Sequence, residues 1–279
     1  SDLLLTFSKG GKIAAKTVDV KGDLFFQQFK LEEDNEGNVI CAGFYANGID
    51  FKMDWTGNAA ISFNTNGVMY FKIDGDGNVE NVRDITFPID FIKQNLSERQ
   101  MKKAEKREAD GKAGIGDLRM LEFKVLEDGS SVFIGERQYV RNEMWGTNKV
   151  DVYHYSNVVA IKTDKDGKVV WMKKLAKNQA STTVPVSARY LGQMSVKYVQ
   201  NKDAHYILFI DNPKNAEIGL SKPAVAHKNG AGGYLTAYKI ENATGKVEKH
   251  TIADLKNING VKTYQFNTTR ISKVSENNF

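Results

Sequence analysis

Arg137, Tyr139 and Arg141 are spaced two residues apart, and a strand of period two would place them on one face. Trp145 follows, and Tyr153, His154 and Tyr155 open the next apolar run. Arginines beside aromatic rings suit recognition more than bond-breaking, because a guanidinium stacks on a ring and the pair offers a surface to sugars, peptides or bases. The plain alternative is a hairpin held by cross-strand aromatic pairs. A second group, Asp211-Asn212-Pro213-Lys214-Asn215, ends another apolar run with residues suited to a sharp turn. The candidate ligand-binding set is therefore Arg137, Tyr139, Arg141, Trp145, His154, Tyr155, Asp211 and Asn212.

Other chemistry finds less support. Asp74-Gly75-Asp76-Gly77-Asn78-Val79-Glu80 looks like a calcium loop, but its glycines fall at the second and fourth positions, where an EF-hand wants glycine at the sixth and glutamate at the twelfth. Turn chemistry explains it better. His154, His205, His227 and His250 show no metal-ligand spacing. Cys41 is the single cysteine, which excludes a Cys-rich zinc site and an intramolecular disulfide framework, and its apolar run reads as core. There is no G-x-S-x-G elbow and no Walker loop, and Gly114-Ile115-Gly116 is too short for a dinucleotide fingerprint. Carboxylate pairs stay open among 34 acidic residues. No catalytic residue is assigned, and neither a metal nor a cofactor is expected.

These residues need a scaffold. The chain has 279 residues, 41% hydrophobic and 26% charged, a composition that folds. Its 15 Phe, 11 Tyr and 3 Trp favour sheet. No apolar run approaches the ~20 residues of a membrane helix. Ser1-Asp2-Leu3-Leu4-Leu5 lacks the charged start of a signal peptide, so the chain is either intracellular or has lost a leader. The net charge of +5 comes from 39 basic and 34 acidic residues that interleave along the chain, which permits anionic partners without requiring them.

The scaffold is repetitive. Phe71-Lys72-Ile73-Asp74-Gly75-Asp76-Gly77-Asn78-Val79 aligns with Ile161 to Val169, with Leu5 to Ile13, and with Tyr238 to Val247 after one extra residue. Each is a strand, a polar turn with glycine near its end, and a second strand; the glycine supplies the positive φ of a tight hairpin. A second hairpin type alternates with it, around Gly37, around Gly129 and, more weakly, around Asp203. Together they predict four-stranded units over about 23–87, 118–178 and 191–252, with partial units at 3–19 and 262–279. Tandem four-stranded antiparallel units are the signature of a β-propeller. The expected fold is thus an all-β propeller of three whole blades plus partial ones, whether a single domain over 1–279 or a fragment of a larger ring. Long loops at about 46–66, 141–152 and 212–232 would gather with long blade-to-blade connections on one elaborated face, where binding residues concentrate. One surface helix is expected near 95–111, with Ser97 and Gln100 at its start, Gly111 at its end and almost no apolar stripe. A strand is expected at 268–274.

Several stretches resemble a family of exported β-propeller-like proteins of Bacteroidota: Ile134-Gly135-Glu136-Arg137-Gln138-Tyr139-Val140-Arg141, Tyr153-His154-Tyr155-Ser156-Asn157-Val158-Val159, Asp166-Gly167-Lys168-Val169-Val170-Trp171, Asp211-Asn212-Pro213-Lys214-Asn215 and Leu96-Ser97-Glu98-Arg99-Gln100. The resemblance runs from about 25 to 279. It implies the fold and an extracytoplasmic place, periplasmic, outer-membrane-associated or secreted, and carries no activity or catalytic residue. Its members look longer and bear a leader, which makes an internal fragment the expectation here.

The leading functional expectation is a non-enzymatic cell-envelope scaffold that binds a protein partner, in an outer-membrane or periplasmic complex, through the long-loop face. A carbohydrate- or peptidoglycan-binding module is the alternative, and a hydrolase or lyase with an axial site is third. Nucleic acid is not the expected partner.

Overall fold

A computed structural model describes residues 2–9, 12–19, 24–53, 59–145, 147–182, 194–228, 232–258, 260–261 and 267–272. The described chain is all-β. Its elements are β1 (Asp2–Lys9), β2 (Lys12–Asp19), β3 (Phe25–Glu33), β4 (Val39–Ala46), β5 (Ile49–Met53), β6 (Ala59–Thr65), β7 (Gly67–Ile73), β8 (Val79–Thr86), α1 (Ile89–Lys93) and α2 (Glu98–Ala109). They continue as β9 (Ile115–Gly116), β10 (Leu118–Val125), β11 (Ser131–Trp145), β12 (Asn148–Thr163), β13 (Val169–Ser181), β14 (Lys197–Gln200), β15 (Ala204–Asp211), β16 (His227–Lys228), β17 (Tyr234–Glu241) and β18 (Val247–Asp254). Four sheets follow chain order: β1-β2, β3-β4-β7-β8, β10-β11-β12-β13-β16 and β14-β15-β17-β18; β5-β6-β9 form another.

The turns repeat one device. Asp34, Asp74 and Asp164 each accept, on one carboxylate oxygen, the backbone N–H groups two and four residues on, at 2.7–2.9 Å. The fourth residue of each turn is glycine, with φ of 80° at Gly37, 82° at Gly77 and 77° at Gly167. Gly129 and Gly245 hold the same left-handed conformation in related turns. Asp74 is thus a turn acceptor. The weak copy near Asp203 lacks glycine because Asn201 closes a shorter turn, its Oδ1 accepting from Asp203 N and Ala204 N.

The chain divides into two compact units, 1–93 with 99–135 and 160–170, and 94–98 with 136–159 and 171–279. In the first, Cys41, Tyr45, Met69, Phe71 and Ile73 form a core, with Phe26, Phe29, Val39 and Val79 packed on it. Cys41 is fully buried and free, and burial pushes its thiol up to about 12. In the second unit the β14-β15-β17-β18 core comprises Leu208, Ile210, Leu235, Ala237 and Leu255.

Three expectations are corrected. The segments 46–66 and 141–152 are largely strand: β5 and β6 pair as an antiparallel hairpin, and β11 and β12 extend to Trp145 and from Asn148. The alternation of Ile49, Phe51 and Met53 in the sequence is the period of a strand. Among the described residues there are two α-helices where one was expected. Besides α2, which buries no residue and ends in a Schellman turn (Lys112 N to Arg107 O, Gly111 N to Glu108 O), the five-residue α1 buries Phe91 and Ile92. It is too short to show helical periodicity. The strand expected at 268–274 is a 3-10 turn at Thr268–Arg270, with Ile271 packed on the Leu208 core; residues 273–279 lie outside the described residues.

Gly37 and Gly167 share a conformation but not surroundings. A Cβ on Gly37 would meet only Glu33 Oε1 at 3.8 Å, whereas one on Gly167 would collide with Cδ1 of the Tyr70 ring. Gly37→Ala is expected to cost about 1 kcal/mol, the left-handed penalty alone. Gly167→Ala should cost at least twice as much in urea unfolding, because the buried Tyr70 ring must move; equal losses would contradict this.

Candidate functional site

The β11–β12 hairpin presents two faces of different chemistry. On one, Arg137, Tyr139, Arg141 and Glu143 alternate along β11. The Arg137 Cζ lies 4.3 Å from the centre of the Tyr139 ring and the Arg141 Cζ 4.9 Å from it. His154 of β12 stacks on the same ring at 4.6 Å, nearly parallel at 9°. His154 Nε2 lies 3.0 Å from Glu143 Oε1. Burial lowers the His154 pKa below the ordinary imidazole value; Glu143 opposes this and the two arginines reinforce it. A carboxylate only accepts, so Nε2–H of His154 donates to Glu143. Toward the hairpin end, Val140 and Met144 are 51% and 61% exposed on the other face.

The inward face holds a buried ion pair. Glu136 and Lys177 have no exposed side-chain surface, and Lys177 Nζ donates to Glu136 Oε1 at 2.7 Å, Tyr155 O at 3.1 Å and Gln179 Oε1 at 2.5 Å. Glu136 Oε2 accepts from Gln138 Nε2 at 2.7 Å and Ser195 Oγ at 2.6 Å. Gln179 Oε1 also takes the Ser195 backbone N–H, and its Nε2 donates to Ile210 O. Ser195 sits at φ 73°, a conformation that these two bonds compensate. Burial lowers the Lys177 pKa and Glu136 opposes it.

Asp211, the last residue of β15, is buried. Its Oδ1 accepts from Asn212 N and Asn215 Nδ2, and its Oδ2 pairs with Lys249 Nζ at 3.1 Å. Asn212 caps the 3-10 turn Pro213–Asn215 through Lys214 N and donates to Ala226 O. Asn215 binds Val225 in both directions. The pair thus folds the 212–228 segment down, ending at β16, which pairs in parallel with Gln179 and Ala180 of β13.

The structure therefore splits the candidate set. Arg137, Tyr139, Arg141 and His154 come together. Tyr155 turns inward, buried against Met194, and lends its carbonyl to Lys177. Asp211 and Asn212 organise a turn elsewhere in the unit. The side chain of Trp145 lies outside the described residues. Sequence reasoning missed Glu143, Lys177, Gln179 and Ser195. The odd spacing of Arg137, Tyr139 and Arg141 already included Glu143, while nothing local marks Lys177 as inward-facing.

Among the described residues no group of three His, Cys, Asp or Glu is placed to share a metal ion. A cavity of about 430 Å³ opens at the turn end of β17–β18, lined by Lys202, Asp203, Lys239, Glu241, Lys246 and Glu248, a mixed-charge rim in which Lys246 and Lys239 already pair with Glu248. The chain matches no protein-family model and no curated protein.

Lys177→Met should destabilise the fold by about 3–5 kcal/mol, since it strands a buried carboxylate. Adding Glu136→Gln should recover part of that loss; a single-variant cost below about 1 kcal/mol in urea unfolding would contradict the pair's burial. A second effect comes from Lys174 in β13, whose pKa is lowered to about 7 by burial first and by Arg137 second. Between pH 7 and 9 the unfolded chain binds a proton here that the folded chain has lost, so stability should rise with pH by up to ~1.4 kcal/mol per unit. Lys174→Met should flatten that slope in urea titrations at stepped pH; an unchanged slope would refute the assignment.

Proposed function

We propose that this chain is a non-enzymatic binding module that engages a partner protein through the β11–β12 hairpin, within a propeller-like repeat and outside the cytoplasm. The observation that carries the reading is the contrast between the hairpin's two kinds of charge. Inward, the polar atoms of Glu136 and Lys177 are used up by the protein itself. Outward, Arg137, Arg141, Tyr139 and His154 are assembled, and toward the hairpin end the opposite face exposes Val140 and Met144. An arm that carries arginine and aromatic residues on one face and exposed apolar side chains on the other has the composition of protein interfaces.

The propeller reading is supported by the recurrence of four-stranded antiparallel sheets whose hairpin turns carry a left-handed glycine at Gly37, Gly77, Gly129, Gly167 and Gly245. The extracytoplasmic placement rests on the family resemblance. Protein is favoured over carbohydrate because the Tyr139 ring, the surface a sugar would stack on, is already engaged by two guanidiniums and an imidazole.

A photo-crosslinking residue at position 140 or 144, in cells that make the protein, should give discrete protein adducts, while one at exposed Val82 should not. Adducts of equal yield at all three positions, or none at 140 and 144, would overturn the reading. So would saturable binding of a glycan that Tyr139→Ala abolishes.

A further inference from the structure

We propose that the open edge of the β11 arm pairs, strand to strand, with the same edge of a second copy of this chain, with Asn142 on the two-fold axis. The inference rests on the binding role given to this hairpin and names its partner. β10 and β11 leave together the turn closed by Leu126 N and Ser130 O, and β10 runs 8 residues where β11 runs 15. The stretch from Tyr139 to Trp145 therefore extends past the end of β10, and among the described residues no other strand pairs with that edge. An open edge offers its N–H and C=O groups to any strand that fits. Natural edges are commonly blunted by proline or lysine, and this stretch has neither.

Backbone alternation decides which residues meet the second copy. Ser130 turns its carbonyl toward β10. Backbone groups point to alternate edges along a strand, so the even-numbered Val140, Asn142 and Met144 turn theirs to the open side. A two-fold pairing must then set even residues opposite even ones. With Asn142 facing its own copy, Val140 lies opposite Met144 and Arg141 opposite Glu143, and each pair occurs twice. The two kinds of pair fall on opposite faces, the exposed apolar residues on one and the charges on the other. About six backbone hydrogen bonds join the copies in this register. The neighbouring registers that keep those bonds centre on Arg141 or on Glu143 and set each opposite itself, which is destabilising. Charge thus selects one register, and that register suits only a second copy. Both charged groups have capacity for it. Arg141 makes no ion pair among the described residues, and stacking on Tyr139 uses the face of its guanidinium rather than the N–H edge. Glu143 gives Oε1 to His154, which leaves Oε2 for the second copy.

The test is sedimentation velocity of the full chain over a range of concentrations. A concentration-dependent dimer is expected. Arg141→Glu alone and Glu143→Arg alone each turn two attractive pairs into repulsive ones, and each should weaken dimerisation about tenfold or more. Mixed in equal amounts, the two variants should dimerise about as tightly as the unaltered chain, because every crossed pair is again opposite in charge. A variant that merely damaged the arm would not recover on mixing. A chain that stays monomeric, a dimer indifferent to both substitutions, or a mixture no tighter than either variant alone would each overturn the proposal. A monomeric chain that still crosslinks to other proteins from positions 140 and 144 would leave the binding hairpin standing and remove only the self-pairing.

Discussion

The buried pair of Glu136 and Lys177 ties together the strands that carry the hairpin of the second unit. One ammonium ties together β11, β12 and β13 through Glu136, Tyr155 O and Gln179. Gln179 then reaches Ile210 O of β15 and the backbone of Ser195. Such a pair adds little net stability over a well-packed apolar substitute, because desolvating two charges offsets most of their attraction. Its value is specificity. The ammonium donors and both carboxylate oxygens are all partnered, with Glu136 and Tyr155 O reached from β13 across two strands, so another register would leave a charge unpaired in the interior. The outward face depends on this: with Glu136 held inward, period two turns Arg137 outward, and Tyr139 and Arg141 follow.

A second, more local constraint sets the hairpins. An aspartate carboxylate gathers the backbone donors of its turn while a left-handed glycine reverses the chain. Because the device lies within five residues, it needs no help from distant sequence. At Gly167 it is also a packing contact, since the turn lies against Tyr70 of β7 with no room for a Cβ. Gly245 lies as tightly against Trp171.

This division explains what could be read from the sequence. The turns at Gly37, Gly77, Gly129, Gly167 and Gly245 are legible because their signal is local, whereas the lengths of β11 and β12 are not. The alternation of Arg137, Tyr139 and Arg141 was legible for the same reason, and with it half of the candidate site. Tyr155 was misplaced because an aromatic residue next to His154 looks like part of the same cluster, although adjacent residues on a strand face opposite ways. Lys177 was invisible: a lysine in a strand reads as outward, and only Glu136, 41 residues earlier, reverses that. Asp211 and Asn212 were read correctly as turn formers, but their partners at Val225, Ala226 and Lys249 come from later in the chain.

The two faces of β11 also limit how this part of the chain can change length. Glu136 and Arg137 are adjacent, one bound in the interior and the other on the outward ring. Inserting or deleting one residue between Glu136 and Tyr139 would swap the facing of everything beyond it, sending Tyr139 and Arg141 inward and Val140 and Met144 to the arginine side. A change of two residues would keep the facing and only slide the ladder along the strand by about 7 Å. Near the hairpin turn, paired additions to both strands would lengthen the arm without disturbing the ion pair at its base. Related chains should therefore vary here in matched steps, and a loop grafted onto the arm should respect the same parity.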